Sequence, residues 1–439
     1  MHPIRLDSTM RHVIFACVAI VSFSVAQVEA ATTVVLAGHL IAEPGKPVRE
    51  RQSIVVEDGK IVAVRDGFIS GDRVIDLSDA WVMPGLIDMH THITITMDVR
   101  SENPAADIVA AYLGRPAARV LATLPRAQAA LNSGFTTLRN LGDPASVSYD
   151  LRTAIDAGVV TGPRLIATEP QFGVPGGDYE GFLFGEREDI EPLFKSRGTC
   201  SGPVDCARAV REEVRRGAGV IKMRLSFNPE SDPGSGPMET PQEIEAIIST
   251  AHRLNRRVAA HSAGTSSANQ MAIDAGVDTI EHGPLSDENI AAMVRHRTAY
   301  TPTLLAAKIV SESGKLGAVA DYYPRVVASV ARAYKAGVPI LFGSDVPTMP
   351  MAQAPEEFLL LRSAGLSTDD VLRSATTNAA AALGLASSLG TIDAGKSADI
   401  IAFAHDPRAD VSELATPRFV MKSGKVIRQQ QDDASVSTH

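Results

Sequence analysis

Basic residues are in deficit in this chain: 42 Lys and Arg stand against 51 Asp and Glu, a formal net charge of −9. Without a long basic run it lacks the electrostatic footprint of a nucleic-acid binder, and Arg253, Arg256 and Arg257 read as the solvated side of a helix. Cysteine is scarcer still, at three. No histidine lies near Cys200 and Cys206, so a cysteine-based zinc site, which needs about four ligands, is excluded there. Beyond the first 30 residues no apolar run is long enough to span a membrane. A glycine-rich phosphate loop after the first central strand is missing too, which argues against a dinucleotide-binding sheet. What is present, 45% hydrophobic and 21% charged residues over 439 positions, is the composition of a soluble globular chain able to bury a large core.

The amino terminus has a different character. Arg11 and His12 precede the apolar run Val13–Val21, and Val28-Glu29-Ala30 offers small residues before a cut. This predicts a secretory signal peptide over 1–30, with an uncleaved anchor as the alternative, and hence an exported, periplasmic or secreted, protein. Cys17 lies inside the apolar run, which argues against a lipoprotein signal. In an oxidising compartment Cys200 and Cys206, either side of a Gly-Pro turn, are expected to pair; two free thiols are the alternative.

Short strand patterns fill residues 31–84, and the same character returns over 386–428. Neither segment holds enough strands to close a sheet alone, so together they predict one small composite β-sandwich. Between them, residues 85–385 alternate strand-like and helix-like segments, the mark of a parallel sheet. Eight strand candidates can be counted, starting with the run that leads into His90 and ending at Ile340–Gly343. Eight close a (β/α)8 TIM barrel, with an open doubly wound sheet as the alternative. The polar tail 429–439 is expected to be disordered.

Barrel active sites lie at the carboxyl ends of the strands. Ionisable residues at those ends are His90 and His92, Lys222, His261, His282 and Asp345. His90 and His92, two residues apart, present two imidazoles on one side of a strand, an arrangement suited to a divalent metal. Each residue alone has an ordinary structural explanation, such as a hydrogen-bonded histidine, a snorkelling lysine or a capping aspartate. Six in this order are improbable as coincidence.

These residues, with Gly134-Phe135-Thr136-Thr137-Leu138-Arg139, Ile280-Glu281-His282-Gly283 and Leu389–Asp399, resemble the amidohydrolase superfamily. Within it they are similar to the imidazolonepropionase-related branch that includes metal-dependent prolidases and carboxypeptidase-like dipeptidases. The resemblance spans essentially the whole chain after the leader. It implies two divalent metal ions, zinc first among them. His90, His92 and Asp345 would hold one ion, His261 and His282 the other, and Lys222, carbamylated by carbon dioxide, would bridge both. Asp345 would also be the catalytic acid–base. The implied reaction is hydrolysis of an amide bond in a dipeptide, Xaa-Pro or carboxypeptidase-like, or in an N-acyl amino acid.

Departures from the branch cluster where substrate would be held: Arg139-Asn140 stands for Arg-Asp, and Met223-Arg224-Leu225-Ser226 for Met-Ala-Ser-Gly. Arg224 is the first candidate for gripping a substrate carboxylate, with a local salt bridge as the alternative, and Arg139 the second. Competing readings are hydrolysis of a bulky aromatic amide of mycotoxin type, an imidazolonepropionase-like ring hydrolase, a lactone or phosphotriester hydrolase, and a non-enzymatic solute-binding barrel. Loss of ligands would be expected of the last, and all six are present. The expected partner is a small-molecule amide or dipeptide, with no nucleic acid and no membrane after signal cleavage; a homo-oligomer is left open.

Overall fold

The computed structural model describes residues 32–95, 110, 114–143, 147–177, 196–225, 238–262, 266–314 and 321–430. The predicted signal peptide, most of the tail, and the stretches from Asp178 and from Ser226 fall outside the described residues.

Seven strands form one sheet in the order β15-β14-β13-β4-β1-β2-β3, combining β1 Thr33–Leu40, β2 Arg49–Glu57, β3 Lys60–Asp66 and β4 Arg73–Pro84 with β13 Ile400–Phe403, β14 Phe419–Lys422 and β15 Lys425–Gln429. Both chain segments are needed: β4 from the first pairs antiparallel with β13 from the second, Met83 opposite Ile401. The sheet's outer strand β3 bends back to the second segment, where Ile61 N–H donates to Lys396 O at 2.8 Å. The buried core under it draws Val35, Ile54 and Leu77 from one segment and Ile400, Phe419 and Met421 from the other. β15 reaches Gln429, one residue into the expected tail.

The barrel is built from β5 Leu86–Thr91, β6 Phe135–Leu141, β7 Arg164–Thr168, β9 Val220–Arg224, β10 Arg257–His261, β11 Thr279–Glu281 and β12 Ala299–Thr301, with a short β8, Gln171–Phe172, beside β9. Every pairing among these strands is parallel. Gly219 N–H donates to Ala167 O at 2.8 Å, joining β7 to β9. The eighth stave is the extended segment 340–346: Leu341 N–H donates to Tyr300 O, Met89 N–H to Phe342 O and His92 N–H to Val346 O. It lies between β12 and β5 and completes the ring.

The apolar run Trp81–His92 is shared between the two sheets: β4 ends at Pro84 and β5 starts at Leu86. The break is Gly85, where a Cβ would lie 2.4 Å from Thr136 Oγ1, so the chain can pass from one sheet to the other only without a side chain. Gly343 permits a second close approach, since a Cβ there would lie 2.4 Å from Thr301 Cγ2 and 2.9 Å from His90 Cβ.

Candidate metal centre

β5 ends in a locked position. The buried Asp88 carboxylate accepts from His90 N–H at 3.0 Å, Ser344 N–H at 3.1 Å and the Ser344 hydroxyl at 2.6 Å. This ties β5 to the eighth stave and places His90 beside Asp345, whose own N–H donates to His90 O at 2.8 Å. Asp345 Oδ1 lies 3.5 Å from His90 Nε2 and 3.6 Å from His92 Nε2, and Oδ2 lies 4.0 Å from His282 Nδ1. His90, His282 and Asp345 offer ligand atoms within 4.8 Å of one another. His261, at the end of β10, stands with its ring centroid 4.8 Å from that of His282. Lys222, third residue of β9, is 1% exposed in the barrel interior.

The structure thus places His90, His92, His282 and Asp345 around one point, with His261 and Lys222 facing the same interior. Burial, the largest cause in each case, holds all four imidazoles below their usual range, His92 at about 3. They are therefore neutral, with a lone pair each to offer. Burial also pushes Lys222 down to about 7 and Asp345 up to about 7, where the Lys222 charge opposes it.

Hydrogen bonds decide which lone pair is offered. His90 Nδ1–H donates to Glu281 Oε2 at 2.8 Å, and Glu281 is itself paired with Arg139 Nη2 at 2.7 Å. His90 Nε2 is left toward the centre, and it finds no hydrogen-bond partner among the described residues. The same is true of Lys222 Nζ. Two buried, partnerless nitrogens, three more neutral imidazoles and a carboxylate form a donor set that fits divalent cations. A carboxylate behind a histidine is the usual support for a metal ligand.

Arg139 is not brought to the mouth. It is 1% exposed, and its donors are spent on Met89 O, Thr279 Oγ1 and Glu281 Oε1. The expectation that it grips substrate is therefore corrected: Glu281 holds its charge inside the barrel. Arg224 ends β9 half-buried, with Nη1 donating to Gln171 Oε1 at 3.2 Å. Cys200 and Cys206 are joined in a disulfide, Cα atoms 4.9 Å apart. Asp88 and Glu281 were missed as supporting residues, although each is a buried carboxylate on a stave, Asp88 two residues before His90 and Glu281 immediately before His282.

A family model for the amidohydrolase family matches residues 81–427. The chain belongs to the amidohydrolase family. As a member it is a hydrolase acting on carbon–nitrogen bonds. Among solved structures it is similar to a Xaa-Pro dipeptidase with bound methionine, at 30% identity and a TM-score of 0.79, covering 90% of this chain and 99% of that one. It is also similar to a prolidase complexed with N-methylphosphonate-L-proline, at 27% identity and a TM-score of 0.80, covering 91% and 100%. Among curated relatives, the imidazolonepropionase of Rhizorhabdus wittichii is 27% identical over 388 residues, 79% of this chain and 88% of the relative. In this amidohydrolase the family's (β/α)8 barrel and composite β domain supply the staves on which the six residues sit.

Proposed function

We propose that the protein is an exported, binuclear zinc amidohydrolase that cleaves the amide bond of a dipeptide or an N-acyl amino acid. The observation that carries this reading is the buried Lys222 amine, without a hydrogen-bond partner among the described residues and set among four neutral imidazoles and Asp345. A neutral amine is the form that adds to carbon dioxide: an N–C bond forms, one proton leaves, and a group that would repel cations becomes an anion with two oxygens. His90, His92 and Asp345 would hold one ion, His261 and His282 the other, with carbamylated Lys222 between them. Ions bound there supply a polarised scissile carbonyl and a water acidic enough to attack near neutral pH.

The chain's own residues move the protons. Asp345, held near neutrality by burial, takes the attacking water's proton and returns it to the departing amine as the C–N bond breaks. Arg224, steadied by Gln171, pairs with the substrate's free carboxylate. Similarity to a Xaa-Pro dipeptidase and a prolidase supports the dipeptide class. The leader sequence and the Cys200–Cys206 bond support export.

The test is amine release by zinc-loaded mature protein from a panel of dipeptides and N-acyl amino acids. Turnover that is abolished by chelation and restored by zinc is expected. A panel without turnover, alongside cleavage of amides lacking a carboxylate, would contradict the substrate class.

A further inference from the structure

Thr303 stands immediately before the helix Leu304–Ser313, where a threonine ordinarily turns its hydroxyl back to accept a backbone N–H of the first turn. Here it makes no such cap. Its backbone is left-handed instead, φ 48° and ψ 54°, an unfavourable conformation for a β-branched residue. In that conformation Oγ1 reaches His282 Nδ1 at 2.6 Å. The forfeited cap is supplied from elsewhere: Glu357, fully buried in the helix Glu356–Ser363, accepts from Leu304 N–H at 2.9 Å and Leu305 N–H at 2.6 Å. Burying a carboxylate and straining a threonine are both costly, and their common result is one hydrogen bond to a histidine of the metal centre. His282 and Asp345 are left-handed as well, φ 63° and 58°, so the strain gathers around this centre.

We infer that Thr303 is a positioning residue that accepts a hydrogen bond from His282 Nδ1–H and so leaves the lone pair on Nε2 as the one offered to metal, with Glu357 replacing the helix cap that Thr303 gives up. The inference rests on the metal reading proposed above. It gives His282 the counterpart of the Glu281 support behind His90, but from a neutral hydroxyl, so the two histidines differ in basicity.

Zinc affinity measured by chelator competition on the full-length protein tests it, for wild type, Thr303→Val, Thr303→Ser and His282→Ala. Thr303→Val keeps the shape and loses the acceptor; about ten- to a hundred-fold weaker binding of one ion is expected. Thr303→Ser restores the hydroxyl and should stay within a few-fold of wild type. Wild-type affinity in Thr303→Val while His282→Ala loses an ion would overturn the inference, as would equal losses in the serine and valine variants. Unchanged affinity in His282→Ala would overturn the metal reading itself. A measurement without substitution accompanies these: ¹⁵N-histidine NMR of the zinc-loaded protein should find His282 protonated at Nδ1, and a proton on Nε2 would refute the assignment.

Discussion

The two ends of the barrel treat charge in opposite ways. At the amino-terminal end Arg164, first residue of β7, spends both terminal nitrogens of its guanidinium: Nη1 donates to Thr137 Oγ1 at 3.0 Å and Asp399 Oδ2 at 2.6 Å, Nη2 to Ser397 Oγ at 3.0 Å and Ser423 Oγ at 3.2 Å. Its partners Ser397, Asp399 and Ser423 come from the carboxyl-terminal segment, so the charge fastens barrel to β domain. At the carboxyl-terminal end Lys222 Nζ and His90 Nε2 are buried and find no hydrogen-bond partner among the described residues. A satisfied charge holds parts together, whereas a buried polar group without a partner destabilises until something binds it.

Substitutions at the two ends should separate these roles. Asp345→Asn should fold normally and lose roughly two to four orders of magnitude in turnover, the scale of general acid–base catalysis. Steady-state kinetics within a few-fold of wild type would remove Asp345 from the reaction. At the other end Arg164→Met should cost about 2–3 kcal/mol, below the full penalty for breaking a buried pair because Arg164 is 25% exposed. Chemical unfolding of the chelated protein checks this, and Lys222→Met measured beside it should be neutral or stabilising. Equal losses from the two variants would erase the contrast.

Arg224→Met should raise KM for dipeptides about ten- to a hundred-fold, with metal content kept. Amidating the substrate's carboxylate should cost wild type the same factor and the variant little. Equal sensitivity in both would place the carboxylate elsewhere.

A pH-dependent effect follows at Glu357. Burial pushes its carboxyl up to about 8, against the two N–H donors that favour ionisation. A carboxyl raised in the fold binds more protons folded than unfolded between its ordinary value of 4.5 and about 8. Its contribution is therefore fully present below that window and lost as pH rises through it. Melting of wild type relative to Glu357→Gln should fall from pH 5 to pH 8, by at most about 1.4 kcal/mol per pH unit. A pH-independent difference would contradict this.

Much of the centre was legible in the sequence because the barrel is a repeating device. A strand pattern ending in His, Lys or Asp places that residue at the mouth whatever its neighbours do, so His90, His92, Lys222, His261, His282 and Asp345 could be collected in order. Two features escaped for reasons of distance. Arg139 closes the strand pattern Thr136–Arg139 in the sequence, but β6 runs on to Leu141 and Glu281, 142 positions on, holds Arg139 inside the barrel. The partnership of Thr303 and Glu357 joins the starts of two helices through backbone N–H groups, and no side-chain pattern records it.

Lys222, buried and without a hydrogen-bond partner among the described residues, is proposed to wait for metal. Elemental analysis of fully active protein tests it most directly. Close to two divalent ions per chain are expected, with Lys222→Ala losing one of them together with most of the activity. A single tightly bound ion in fully active enzyme, or two ions retained in Lys222→Ala, would contradict the account.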